Sequence, residues 1–126
     1  MNTYNWDHQQ ILIVEDDTSS FSLLQAILRK TNITIHHASD GEQAVNICRT
    51  NPSIDLVLMD IQLPRMDGYT ATQNIKQLRK NLPVIAQTAH VMEEDRMKSI
   101  KAGCDDYLPK PINRDELLRM ISKYLK

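Results

Sequence analysis

Cysteine is scarce in this chain: Cys48 and Cys104 are the whole complement in 126 residues. They form no CxxC and have no histidine partner at metal-ligand spacing, which excludes a zinc or dithiol motif. Each falls in an apolar helical or near-helical stretch, so both read as reduced structural thiols rather than a disulfide. An excess of one charge is also lacking. Fifteen Lys+Arg face 16 Asp+Glu, a formal net charge of −1, whereas a nucleic-acid-binding surface normally carries a basic excess. No apolar run approaches the ~20 residues of a membrane span. The opening Met1-Asn2-Thr3-Tyr4-Asn5-Trp6 is polar and too short for a signal peptide. A cytoplasmic chain, or a piece of something larger on the inner side of the membrane, is expected. Glycine is limited to Gly41, Gly68 and Gly103, all at proposed helix edges. There is no internal repeat, low-complexity segment or linker.

What is present suits one ordinary domain. The length is typical, as are 41% hydrophobic and 25% charged residues. A chain of this size buries roughly two-thirds of its unfolded surface without a disulfide or metal staple. Short apolar runs alternate with helical patterns. Ile11-Leu12-Ile13-Val14, Leu56-Val57-Leu58-Met59 and Val84-Ile85-Ala86 read as strands buried on both faces. Ile33-Thr34-Ile35-His36-His37 is more amphipathic and reads as a strand nearer an edge. Asp105-Asp106-Tyr107-Leu108-Pro109 is a weaker fifth strand, with Pro109 at its end.

Helices are expected over 18–31, with Leu24, Ile27 and Leu28 on one face and Thr18-Ser19-Ser20 as caps. Others are expected over 41–50 (Ala44, Val45, Ile47, Cys48) and 67–80 (Ala71, Ile75, Leu78). A fourth covers 91–102 (Val91, Met92, Met97, Ile100, Ala102) and stops at Gly103. The last covers 113–125, with Asn113 and Glu116 at capping-box spacing and Leu117, Leu118, Ile121 and Leu125 inward. Five βα units imply an α/β fold with a parallel sheet and helices on both faces. Residues 1–9 read as a lead and 10–126 as a single domain, with no room for an output or catalytic domain.

Ligands of open α/β sheets bind beyond the carboxyl ends of the strands. Those ends carry Glu15-Asp16-Asp17, Asp60, Gln87-Thr88 and Lys110-Pro111. A strand order of 2-1-3-4-5 brings three acids, a hydroxyl and an ammonium to one rim. Two carboxylates ~4 Å apart repel by about 4 kcal/mol at an effective dielectric near 20. Such a cluster calls for a counter-charge, and Mg²⁺ prefers carboxylate, carbonyl and phosphate oxygens. Lys110 adds a fixed positive charge and Thr88 a hydroxyl donor. A carboxylate beside Mg²⁺ is a recognised phosphoryl-accepting nucleophile.

Four pieces carry a resemblance. They are Ile11-Leu12-Ile13-Val14-Glu15-Asp16-Asp17, Leu58-Met59-Asp60-Ile61-Gln62-Leu63-Pro64-Arg65-Met66-Asp67-Gly68, Val84-Ile85-Ala86-Gln87-Thr88-Ala89 and Ala102-Gly103-Cys104-Asp105-Asp106-Tyr107-Leu108-Pro109-Lys110-Pro111. In this order and spacing the chain resembles a receiver domain of the bacterial two-component response-regulator family over nearly its whole length. The resemblance implies a flavodoxin-like three-layer sandwich: five parallel strands in the order 2-1-3-4-5 with five helices. It implies Asp60 as phosphoacceptor, Glu15 and Asp16 as the acidic pair and the Gln62 carbonyl as a further ligand of Mg²⁺, with Mn²⁺ as a substitute. Thr88 resembles the switch hydroxyl, Tyr107 the aromatic that turns inward behind it, and Lys110 the lysine that meets a phosphoryl oxygen. In the family the bond after that lysine, here to Pro111, is usually cis. Glu15 stands where aspartate is commoner. Gln62 and His90 occupy places that tune hydrolysis of the acyl phosphate.

The implied role is a phosphorelay switch that assists its own phosphorylation and slow dephosphorylation, rather than an enzyme. Its partners would be a histidine kinase or histidine phosphotransfer domain docking near Leu23 and Pro111. A downstream protein would meet the helix 4–strand 5–helix 5 face, with no direct nucleic-acid or membrane contact. The chain is either free-standing or the cytoplasmic portion of a hybrid kinase. Three other readings compete: a phosphate-independent docking module, an Asp-nucleophile Mg²⁺-dependent phosphohydrolase, and a flavin-binding module. Against the second, Gln62 stands where such enzymes place another aspartate. Against the third, Glu15-Asp16-Asp17 would repel the flavin phosphate. Asp17, Asp67 and Asp105-Asp106 read as solvated or capping residues without a site role, and His8, His36 and His37 as surface or edge-strand residues.

Overall fold

Period and length select the elements, and the computed structural model describes residues 4–89 and 93–125, the side chains of 93–95 excepted. His90, Val91 and Met92, named above, lie outside the described residues. The strands are β1 (Gln10–Val14), β2 (Thr34–Ala38), β3 (Leu56–Asp60), β4 (Val84–Thr88) and β5 (Asp106–Pro109). Between and after them run α1 (Thr18–Arg29), α2 (Gly41–Thr50), α3 (Gly68–Leu78), α4 (Glu93–Ala102) and α5 (Arg114–Tyr124). All pairings are parallel, in the order β2-β1-β3-β4-β5. β1, β3 and β4 are interior strands, and their apolar runs are buried on both faces, as a covered parallel sheet requires. β2 lies at an edge and is only partly buried.

Side chains alternate across the sheet and build two cores. Leu12, Val14, Val57, Met59, Val84 and Ala86 pack with Ala44, Val45 and Cys48 of α2 and Ala71 and Ile75 of α3. Ile11, Ile13, Leu56, Leu58, Ile85 and Leu108 pack with Leu24 and Leu28 of α1 and Leu117, Leu118 and Ile121 of α5. Trp6 joins the second core at 7% exposure, stacked on Tyr4. Its backbone N–H donates to the Thr31 carbonyl at 2.6 Å. The polar lead gives no sign of this anchoring.

Capping shows where each helix starts. Asp17 rather than Thr18 is the N-cap of α1, and Asp40, Asp67 and Asn113 cap α2, α3 and α5. Gly103 follows α4 at φ 104°, the left-handed stop expected of glycine. Three apolar assignments are corrected. Leu78, Met97 and Ile100 are 45%, 45% and 53% exposed. Leu78 ends its helix, and α4 buries Ser99 and Ala102 instead. Asp105 and Asp106 are structural ties rather than free loop acids. Asp105 accepts from the Val84 N–H and from Lys76, and Asp106 from Lys123 and Tyr124.

Candidate functional site

The register sets the site. Val14 lies opposite Met59, so Glu15 and Asp60 occupy the next rung. Asp60 in turn lies opposite Gln87, and Gln87 opposite Leu108. Glu15, Asp60, Gln87 and Leu108 therefore form one row across four strands, on the face that also carries Ile13, Leu58 and Ile85. Lys110, two residues beyond Leu108, rises from that same face. Backbone hydrogen bonds carry the ladder past the strand ends: Glu15 N–H to the Ala38 carbonyl at 3.0 Å, Ile61 N–H to Gln87 at 3.1 Å, and Lys110 N–H to Thr88 at 2.8 Å.

The row is buried and charged. Glu15 and Asp60 are 1% and 3% exposed, while Asp16 is exposed. Lys110 Nζ lies 3.2 Å from Asp60 Oδ2 and 3.6 Å from Glu15 Oε1. The other Asp60 oxygen, Oδ1, accepts from the Gln62 N–H at 3.0 Å. Burial, then a shared hydrogen bond and repulsion with Asp60, push the Glu15 carboxyl up to about 7. The Asp17 N–H and Lys110 pull it the other way. Burial would lower the Lys110 ammonium, but the Asp60 and Glu15 carboxylates outweigh it and hold it above its ordinary value.

Glu15, Asp16 and Asp60 each offer a carboxylate oxygen, and the three atoms lie within 4.8 Å of one another. Three hard oxygen donors gathered this closely suit a small divalent cation. Gly68 makes room for the backbone at the end of β3. A Cβ there would stand 2.5 Å from the Asp60 carbonyl oxygen and 2.7 Å from Ile61 Cα.

Thr88 and Tyr107 belong to the opposite face. Thr88 is 3% exposed and lines a cavity of about 380 Å³ with Ile61, Gln62, Tyr69 and Lys98. Tyr107 lies opposite Ala86 and packs half-buried against the α2–α3 core. A second groove, of about 440 Å³, opens on the α1 side and is lined by Leu23, Leu24, Gln87, Ala89, Lys110, Pro111 and Ile112. Leu23 is 51% exposed. The Lys110–Pro111 bond is cis.

The structure thus brings Glu15, Asp16, Asp60, Gln62 and Lys110 together, with Thr88 at the same rim and Tyr107 one layer behind. His36 and His37 stay at the edge, on the Gln10 side chain and the Glu15 carbonyl. Sequence reading missed Gln87 as more than a strand end; the signal was a polar residue closing the apolar run Val84-Ile85-Ala86. It also missed the ion pair from Arg65 to the buried Asp40 at 3.0 Å, which ties the loop after β3 to the start of α2 and leaves no local trace in sequence.

Comparison with known proteins agrees with this geometry. The sequence model of the response regulator receiver domain matches residues 11–122. The transcription factor SKN7 of Saccharomyces cerevisiae is 39% identical over 116 residues, covering 92% of this chain and 18% of that protein. The receiver domain of a sensor histidine kinase from Pseudomonas aeruginosa PAO1, solved with magnesium in its active-site cleft, has a TM-score of 0.86. It is 37% identical, and the match covers 93% of this chain and 97% of that one. The receiver domain of the yeast response regulator Ssk1, solved with the histidine phosphotransfer protein Ypd1, has a TM-score of 0.87 at 32% identity. Here the match covers 93% of this chain and 88% of that one. This chain spans between 7% and 49% of the length of the first curated relatives it matches. Among the described residues no helix is long and apolar enough to cross a membrane.

Proposed function

Because this chain belongs to the response regulator receiver domain family, whose members act as phosphoaccepting signalling switches, we propose that Asp60 is its phosphoacceptor within a phosphorelay. The observation that carries this reading is the buried Asp60 carboxyl, 3.2 Å from the Lys110 ammonium and within 4.8 Å of two further acids. The donor is a phosphohistidine on a kinase or phosphotransfer domain. One Asp60 oxygen forms the new P–O bond while the P–N bond breaks, and its electron pair stays on the imidazole nitrogen.

Glu15, Asp16, Asp60 and the Gln62 carbonyl would hold Mg²⁺, or Mn²⁺ in its place. Such an ion neutralises charge on the phosphoryl oxygens. Lys110 meets another phosphoryl oxygen, and Thr88 turns its hydroxyl toward the group. Tyr107 then repacks into the space behind Thr88, which shares its face of the sheet. A covalent ligand at Asp60 in this way biases a two-state packing equilibrium.

Two surfaces take partners on this reading. The groove floored by Leu24, with Leu23 and Pro111 on its rim, receives the phosphohistidine protein, because it opens beside Lys110. The face of α4, β5 and α5, where Met97 and Ile100 are exposed, receives the downstream protein. The chain works in the cytoplasm, alone or as part of a hybrid kinase.

Intact mass after incubation with acetyl phosphate, with and without Mg²⁺, tests the reading. The expected result is a Mg²⁺-dependent gain of one phosphoryl group, absent in Asp60→Ala and lost in hydroxylamine. No adduct from either acetyl phosphate or a phosphohistidine donor would point to a docking module on the same fold.

A further inference from the structure

Among the described residues, Gln87 is the one polar member of the buried row whose side chain has no hydrogen-bond partner at either end. It is 1% exposed, and neither Nε2 nor Oε1 has a hydrogen-bond partner among the described residues. Buried side-chain amides are nearly always paired. Asp60 stands directly opposite Gln87 on the adjacent parallel strand, on the same face, at the ~4.8 Å spacing of neighbouring strands. Gln87 also lines the groove that holds Lys110. In this structure both Asp60 oxygens are already served, Oδ2 by Lys110 and Oδ1 by the Gln62 N–H. The amide is thus beside the carboxyl but displaced from it.

We propose that Gln87 is a further donor to the Asp60 carboxyl in the phosphorylated chain, and that it shortens the life of the phosphoryl group. The inference rests on Asp60 being the acceptor. Once a phosphoryl group stands on one Asp60 oxygen, the Lys110 ammonium is drawn to the phosphoryl oxygens. The oxygen it leaves is open to the neutral Gln87 Nε2–H. Hydrolysis then proceeds with water as co-reactant. The water oxygen forms the new bond to phosphorus, the P–O bond to Asp60 breaks, and its electron pair returns to the carboxylate. The water proton passes to bulk, and inorganic phosphate departs. Negative charge on the carboxyl is larger in that transition state than in the acyl phosphate. A donor aimed at it therefore binds the transition state better. Glu15 cannot do the same once ionised, because it has no proton to donate.

Gln87→Met keeps the volume and removes the amide; Gln87→Leu is the second variant. Three quantities are read: the melting temperature without Mg²⁺, the acyl-phosphate half-life by intact mass after removal of acetyl phosphate, and the acyl-phosphate carbonyl stretch. Both variants are expected to melt higher, because an unpaired buried amide is gone. The half-life should lengthen by roughly threefold to tenfold, less than the ~10² of a lost oxyanion-hole donor, because the leaving carboxylate already spreads its charge. The carbonyl stretch should move to higher frequency as its hydrogen bond is lost. A higher melting temperature with unchanged half-life and stretch would overturn the proposal and leave Gln87 a buried polar residue only. No adduct on the parent chain would overturn the acceptor reading and this proposal together, a result distinct from an adduct whose lifetime ignores residue 87.

Discussion

Lys110 Nζ stands 3.2 Å from Asp60 Oδ2 and only 3.6 Å from Glu15 Oε1, so one ammonium serves two buried carboxyls. One cation cannot neutralise both. Burial first, and then the neighbouring Asp60, push the Glu15 carboxyl up to about 7. With Glu15 ionised the site sets two buried carboxylates against one ammonium, a tension that a divalent cation relieves.

That tension sets a pH dependence. The folded Glu15 titrates near 7 against an ordinary value of 4.5, so between those values the folded chain binds more protons than the unfolded one. Stability then falls as pH rises through this window. The contribution is fully present below about 4.5 and lost above about 7. Thermal melts in EDTA from pH 4 to 8 should show the decline, and Glu15→Gln should flatten it. Mg²⁺ affinity should rise over the same interval, because the cation displaces the proton. A parent profile as flat as that of Glu15→Gln would refute the assignment.

Asp60→Asn removes one of the crowded charges while its amide oxygen still accepts from the Gln62 N–H. The variant should melt higher than the parent in EDTA, by an amount equivalent to about 1 kcal/mol, and should take no phosphoryl group. A variant that melts lower would mean that the ion pair with Lys110 outweighs the repulsion from Glu15.

Gly68→Ala places a methyl group 2.5 Å from the Asp60 carbonyl oxygen. Backbone cannot yield as a flexible side chain does, so α3 or the end of β3 must move. Urea unfolding should show a loss of about 1–3 kcal/mol, and phosphorylation by acetyl phosphate should slow. Gly103→Ala is strained for a different reason, its positive φ. It lies outside the residues that frame Asp60 and should leave phosphorylation unchanged.

Leu23→Asp puts a charge on the apolar rim of the groove beside Lys110. Phosphotransfer from a phosphohistidine protein should slow by about tenfold, equivalent to ~1.4 kcal/mol, while labelling by acetyl phosphate stays as in the parent. Equal loss with both donors would mean that the substitution damages the site rather than the docking.

Much of this was legible in sequence because the relevant signals are local. A run such as Ile11-Leu12-Ile13-Val14 fits only a strand covered on both faces. Acids placed immediately after two such runs must meet if those strands are neighbours. What stayed illegible depends on other elements. Nothing near Trp6 says that it will be covered, because the apolar cluster it joins draws on residues distant in the chain, among them Leu24, Leu28, Ile33 and Leu117. Met97 and Ile100 have helical spacing, yet α4 turns Ser99 and Ala102 inward. Asp105 reads as a loop acid, yet it ties down the start of β4 by accepting from the Val84 N–H.

By itself the sequence determined the kinds of element, their order and the acids, hydroxyl and lysine that end the strands. Those follow from periodicity and from chain connectivity, which each segment carries within itself. Only the tertiary structure decided that Asp60 sits between Glu15 and Gln87 in one row, that Lys110 is shared, and that Glu15 is pushed up to about 7. These are properties of distance and burial across strands far apart in the chain, and such quantities exist only once the sheet has set its register.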